Sequence, residues 1–323
     1  MSKIDVTQQN MVEWYVTNFY AFENHLNGKK DAAFHQTRKE AIDSFARLGF
    51  PTPRTEQWKY TRLTPLLKHK FAPTVEAPAV SPDTVHKFAF AGSEDRLVVF
   101  VNGRYSPELS TLQVETGGVL VGNLEQALEE HRELIERHFS RYADYRKEPF
   151  VALNTAYALD GAFVYLAEGV ELERPVHLLF LSDSSGGSFF ANPRNLIILE
   201  RNAGARIIES YHGLGESPYF TNGVTEVVEA DRARLDHVKI QEEGSAGFHI
   251  YNLQVHMGRE SVHRTVNVDL GGRLVRNNLN LSLMGEYGEG HLNGLYVGSA
   301  RQHIDNHTFM DHAVPHCESN ELY

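Results

Sequence analysis

Apolar residues alternate with polar ones in short runs over most of the second half of the chain, and the runs return at nearly fixed intervals. Gly204-Ala205-Arg206-Ile207, Arg232-Ala233-Arg234-Leu235, Glu260-Ser261-Val262-His263 and Glu289-Gly290-His291-Leu292 recur at steps of 28, 28 and 29 residues (233−205, 261−233, 290−261). A period of this length predicts a solenoid, in which each repeat buries its apolar side only by stacking on its neighbours. Each repeat carries two period-two runs, the pattern of strands whose successive side chains point to opposite faces. The first run sets Ser210 and His212 over Val238 and Ile240, Val266 and Val268, then Leu295 and Val297. The second sets Gly223, Thr225 and Val227 over Tyr251, Leu253 and Val255, then Leu279, Leu281 and Leu283, and finally Thr308, Met310 and His312. Both sets are expected to point inward. Polar residues between them, among them Asp236, His237, Lys239, Asn252 and Gln254, are expected on a wet outer wall.

Gly-rich bends at 213–215, 244–247 and 271–272 separate the strands, and β-branched and aromatic enrichment favours strand over helix. Gly169-Val170-Glu171-Leu172 extends the pattern 35 residues upstream, with the surplus assigned to an inserted loop at Ser182–Ser188. The prediction is a mainly β protein, a flattened parallel β-helix over residues 150–323. A β-sandwich is the rival architecture, but it has no reason to hold a 28-residue register.

Residues 1–149 read differently. Met11, Val12, Tyr15, Phe19 and Phe22 share a helical face over 8–27, and Ile42, Phe45 and Leu48 share one over 31–48, stopped by Gly49 and Pro51. Arg96 to Tyr105 reads as a strand entering an Asn102-Gly103 turn, and Leu124 to Tyr145 as one charged amphipathic helix. An α-rich N-terminal domain is therefore expected ahead of the solenoid.

Bulk properties narrow the class. A composition of 41% apolar and 23% charged residues is that of an ordinary globular protein, and no apolar run approaches the roughly 20 residues that span a bilayer. A cytoplasmic location follows as the default expectation. A formal charge of −11 disfavours nucleic acid as a partner, and the single cysteine, Cys317, excludes both an internal disulfide framework and an all-thiolate metal site from one chain. No P-loop, Gly-x-Ser-x-Gly elbow, His-Glu-x-x-His pair or Gly-x-Gly-x-x-Gly turn occurs, so no catalytic residue is assigned and the chain is not expected to be an enzyme.

The densest group of potential ligands is His303, Asp305, His307, Asp311, His312, His316 and Cys317. Such donors can hold zinc or iron. If the strand register holds, however, His312 points inward and His307 outward, so no metal site is assigned. His212 and His263 read as structural histidines, and Trp58 as an aromatic pinning its Pro-bounded segment to the domain.

Several segments resemble the SufD family of the SUF iron–sulfur cluster assembly machinery: Pro53-Arg54-Thr55-Glu56-Gln57-Trp58-Lys59-Tyr60-Thr61, Val101-Asn102-Gly103-Arg104-Tyr105, Asn154–Gly161, Gln302–Thr308 and Pro315–Tyr323. The resemblance implies a right-handed parallel β-helix and a non-enzymatic scaffold that pairs with a SufB-type paralogue and a SufC-type ATPase. It also implies no cofactor bound by this chain alone, the iron–sulfur cluster being assembled with those partners. The stop at Tyr323 falls within a family segment, short of further coils and C-terminal helices, so a C-terminally truncated member is expected, unable by itself to assemble the complete complex, with a homodimer as one state open to it when alone. Two other functions fit the repeat. A polysaccharide-active β-helix enzyme would require export and stacked surface Asp and Arg, which the sequence does not display. A His-rich metal-binding protein would use the 303–317 group.

Overall fold

A computed structural model describes residues 3–26, 32–112 and 117–323 of the chain. Two sheets face each other across a shared interior. The first stacks Arg96–Val101, Val176–Asp183, Gly204–Leu214, Arg234–Glu242, Val262–Asp269, Glu289–Tyr296 and Glu318–Leu322 in that order. The second stacks Val119–Asn123, Ala162–Leu166, Arg194–Leu199, Tyr219–Glu229, Gly247–Met257, Leu274–Leu283 and His303–His312. These neighbours pair in parallel, apart from Val119–Asn123 against Ala162–Leu166. The chain passes alternately from one sheet to the other, so the architecture is the expected mainly β, parallel β-solenoid with a helical N-terminal region. Strands from before residue 150 also join both sheets.

The repeat is less regular than the sequence pattern suggests. Ala205, Leu235, His263 and Gly290 are register partners, at steps of 30, 28 and 27 (235−205, 263−235, 290−263). In the second sheet Thr225, Leu253, Leu279 and Thr308 are partners, at steps of 28, 26 and 29 (253−225, 279−253, 308−279). The predicted alignment is therefore two residues out at some joins. A slip of two preserves which face a side chain occupies.

Each turn from the second sheet back to the first carries one residue with left-handed backbone. Gly169, Asn202, Arg232, Glu260, Tyr287 and His316 have φ between 57° and 76°. At most of these corners the amide donates to a carbonyl of the next coil, as in Gly169 to Arg201, Asn202 to Asp231, Arg232 to Arg259 and Glu260 to Glu286. A left-handed conformation costs an L-residue roughly 1–2 kcal/mol, which this ladder of coil-to-coil bonds offsets.

The second sheet delivers the predicted inward stack. Val227, Val255 and Leu281 are partners and fully buried, and Leu283 lies beside them on Met257. The first sheet reverses the prediction. Leu235, His237, Lys239 and Gln241 point into the interior and are buried, whereas Val238, Ile240, Val266, Val268, Leu295 and Val297 face out, Leu295 and Val297 being more than half exposed. Ser210 and His212 also face outward, and are buried from that side because the segment around Phe88 and Phe90 lies over them, Phe88 stacking 4.2 Å from His212. Apolar alternation misleads here because this interior is polar and this exterior is partly apolar.

The N-terminal helices Lys3–Glu23 and Ala32–Leu48 match the two predicted; the predicted limits at residues 27 and 31 lie outside the described residues. They pack Tyr15, Phe19 and Phe45 with the buried helix Pro149–Tyr157 against the outer side of the second sheet. The expected helix from Leu124 to Tyr145 is instead two, Leu124–Glu130 and Arg132–His138, broken at His131. The break lets Ile135 and Phe139 join Phe163 and Leu196 in one cluster. The Arg96–Val101 strand enters the predicted turn, with φ of 49° at Asn102 and 79° at Gly103.

Candidate functional site

The interior of the first sheet changes character along its own axis. Phe100, Phe180 and Tyr211 stack with ring centroids 4.9 and 4.6 Å apart, and the coils beyond them carry Gln241 and then Asp269 in the same column. The neighbouring column runs Leu178, Glu209, Lys239 and Asn267. All of these polar side chains are buried. A charge in such a place survives only if it is paired and hydrogen-bonded.

Glu209 meets that requirement with donors from several coils. Asn195 Nδ2, Thr225 Oγ1, Tyr251 OH and His237 Nε2 each lie 3.0 Å from its carboxylate, and the Tyr211 hydroxyl makes a short bond to it. Burial by itself would raise the Glu209 pKa, but His237 and the two tyrosine hydroxyls hold it below the usual carboxylate range. Burial, and then the charge of Glu209, drive the Tyr211 and Tyr251 pKa values well above the ordinary phenol value. One anion is thus held by neutral and histidine donors, and both phenols stay protonated.

One coil further on, Lys239 Nζ lies 4.9 Å from the Tyr251 ring centroid and donates to Asn277 at 3.1 Å and Asp269 at 3.4 Å. Asp269 accepts from Asn267 at 2.7 Å and Asn277 at 2.9 Å, and both amides also reach Asn306 Oδ1. A second buried acid, Glu243, accepts from Thr221 at 2.8 Å and Gln241 at 3.1 Å, with His249 Nδ1 2.7 Å away. Burial pushes its pKa up, and His249, Gln241 and Thr221 together more than reverse this. These groups connect coil to coil and bond chiefly to one another, with His237 Nδ1, His249 Nε2 and Asn267 Oδ1 left buried without a partner, which suits a specified interior better than turnover.

The residues singled out from sequence scatter. His303 and Asp305 face outward, where the Thr61 hydroxyl lies 2.9 Å from His303 Nε2 and donates a short bond to Asp305. Asp305 also pairs with the buried Arg276, whose guanidinium sits 4.7 Å from the Trp58 ring. Trp58 is buried and tilted against Phe150 at 5.2 Å, so it does pin its segment. His307 lies on the outer face beside Asn278, whereas His312, on the inward column, is exposed at the corner and meets Ser319 at 2.9 Å. His316 is a corner residue stacked 5.4 Å from Tyr287, and Cys317 is half-buried with its thiol 3.4 Å from the Gly285 carbonyl. Among the described residues no three His, Cys, Asp or Glu side chains converge as a metal-holding group. His263 is buried between Glu229 at 2.7 Å and Thr265 at 2.6 Å.

Sequence reasoning missed Glu209, Lys239 and Asp269. The available signal was opposite charge at register positions, Glu209 beneath Lys239 and Lys239 one coil from Asp269, but a period-two reading assigns such residues to water. It also missed that Arg206, Asp236 and Arg264 share one outer column. Its acid lies 3.5 Å from Arg264, so the column does not offer the two carboxylates of glycoside hydrolysis.

The strap that carries Trp58 runs across the coils rather than along them. Thr61 touches the His303–His312 strand, His69 and Phe71 pack on Phe248, Phe71 reaches Phe220, and Thr74 donates to the Phe190 carbonyl. Phe190, Phe220, Phe248, Leu274 and His303 form one register column, so the strap follows the solenoid axis. Arg194 and Glu226, fully buried and 2.6 Å apart, anchor the other side of the N-terminal region: Glu226 accepts the amides of Ser140, Tyr142 and Ala143, each at 2.9 Å.

A two-sheet parallel solenoid with a helical cap and a buried, cross-linked polar interior defines a structural class, the β-helix scaffold. Residues 180–323 match the SufBD core domain of the SUF system for iron–sulfur cluster assembly, and residues 9–178 match the SufBD N-terminal region. The chain belongs to the SufBD family. It is 29% identical to an iron–sulfur cluster assembly SufBD family protein of Synechocystis, over 92% of this chain and 67% of that protein. It is 25% identical to the iron–sulfur cluster assembly protein SufD of Escherichia coli, over 88% of this chain and 64% of that protein. A chloroplastic protein of Arabidopsis thaliana, ABCI7, is 30% identical over 54% of this chain and 38% of its own length. The chain therefore spans about two thirds of the first two relatives. No helix among the described residues is long and apolar enough to cross a membrane.

Proposed function

We propose that the chain is a cytoplasmic scaffold subunit of SUF iron–sulfur cluster assembly, pairing with a SufB-type paralogue and a SufC-type ATPase and performing no chemistry of its own. The observation that carries this reading is the match to both SufBD family regions across almost the whole chain. The polar interior supports the non-enzymatic part, because its carboxylates and Lys239 are buried and bonded to neighbouring side chains. In this reading the iron–sulfur cluster is cargo built with the partners.

Co-expression with a SufB-type and a SufC-type protein, followed by affinity capture and size exclusion, tests it. Co-elution with at least one partner in fixed ratio is expected. If both partners elute free of this chain at micromolar concentration while a full-length SufD relative captures them under the same conditions, the proposal fails.

A further inference from the structure

The outer face of the first sheet is covered at one end and bare at the other. Over the early coils, Val85 and its neighbours lie on Val99, Leu179 and Leu181, and Phe88 closes on His212. Beyond that cover the same columns continue as aliphatic side chains: Ile208, Val238 and Val266 in one, Ile240, Val268 and Leu295 in the next. Val266 is 39% and Leu295 56% exposed. An apolar patch that continues a covered interface and is rimmed by charge marks a docking surface.

Its dimensions and rim select the occupant. From the Ile208 coil to the Leu295 coil is three inter-strand spacings, roughly 14 Å, and the two columns stand about 7 Å apart. Leu322, in the Val266 column, and Val297 extend the bare face past this stripe, and a symmetric second copy would set Arg206, Arg234 and Arg264 against their own counterparts, which argues against it. At 1.5 Å per residue the stripe matches about ten residues of α-helix. The chain already covers the adjoining coils with a short helix, Pro82–His86, and the residues that follow it. Along one margin stand Arg206, Arg234 and Arg264; Asp236 among them is 3.5 Å from Arg264, and the next acid along this rim, Glu289, comes one coil later. We infer that this stripe docks an amphipathic helix of a partner protein, with Leu-like anchors at i, i+3, i+4 and i+7 and acidic residues on the flank that meets the arginines.

The probes are a synthetic 14-residue helix with Leu at those positions and Glu on the flanks, and a twin with Lys on the flanks. Binding to the whole chain is followed by fluorescence anisotropy and by methyl chemical shifts. The Glu peptide is expected to bind at least tenfold tighter than the Lys twin. Val266→Asp and Leu295→Asp, at exposed positions that leave the thermal melt in place, are expected to weaken it at least tenfold, and Arg234→Glu to narrow the preference for Glu. Absence of Glu-peptide binding at millimolar concentration overturns the inference, as does equal binding of the twins or indifference to Val266→Asp. Self-association of the chain that Val266→Asp abolishes would assign the stripe to a second copy and overturn it as well. The result is separate from capture of the SUF partners, which is read without the peptides.

Discussion

Within one solenoid, Val227, Val255 and Leu281 stack on the second sheet as an aliphatic column, while the first sheet raises Glu209, Lys239 and Asn267 from a column of its own. Both are fully buried and both rest on the same parallel ladder. The aliphatic column gains from every side chain independently, because apolar burial is non-directional and roughly proportional to area. The polar column gains only when complete, since each member cancels the desolvation cost of another. One half should therefore degrade gradually under mutation and the other abruptly.

The sharpest way to break this contrast is Glu209→Leu, which leaves five buried donors without their acceptor. It is expected to cost about 3–5 kcal/mol in urea unfolding; a loss below about 1 kcal/mol would mean that the network adds nothing beyond packing. Leu281→Ala in the aliphatic column should cost about 2–4 kcal/mol, with unchanged exchange protection in the polar half. An effect on Lys239 or Asp269 as large as the local one would erase the distinction.

Acid titration separates the sheets by another route. Burial lowers the pKa of His177 to about 3 and that of His212 to about 4, both on the first sheet. Their unfolded forms take up protons near pH 6.5, so they leave stability intact above that value and draw it down as the pH falls towards 4 and then 3. The slope should approach about 1.4 kcal/mol per pH unit for each histidine. Replacing both with Gln should flatten the unfolding free energy between pH 6.5 and 4, and an unchanged slope would show that neither is held neutral. The smallest effect is expected at a corner. Glu260→Gly should alter stability by less than about 1 kcal/mol, in the stabilising direction, and Glu260→Val should destabilise by about 1–2 kcal/mol. The two variants behaving alike in thermal melts would remove the corner residue from the account.

What could be read from sequence follows the same division. The Val227–Val255 stack was legible because its alternation obeys the usual sign, apolar inward. The first sheet also alternates, with the sign inverted: His237 and Lys239 look like a wet face until Glu209 and Asp269 are known to lie beside them. The register slipped by two because the spacing between corners varies, Asn202 to Arg232 being 30 residues and Glu260 to Tyr287 only 27 (232−202, 287−260). After Gly169 these left-handed positions carry Asn, Arg, Glu, Tyr and His rather than glycine, so nothing local announces them. His316 illustrates the cost, reading as a candidate ligand in sequence and standing as a corner in the fold. Trp58 and His263 were legible as structural residues. The partners of Trp58 were not, because Arg276 lies more than two hundred residues away.

The strap gives this molecule an unusual birth order. Thr61 contacts His303 and Asp305 across 242 and 244 residues of sequence. At a synthesis rate of about 5–20 residues per second, that segment emerges roughly 12–50 s before its seat exists. During this wait the strap gains its seats in steps, Trp58 meeting Phe150 first and Phe71 meeting Phe220 and then Phe248 as those coils are laid down. Closure is therefore progressive, and only its last stitch, Thr61 on His303 and Asp305, waits for the final coils.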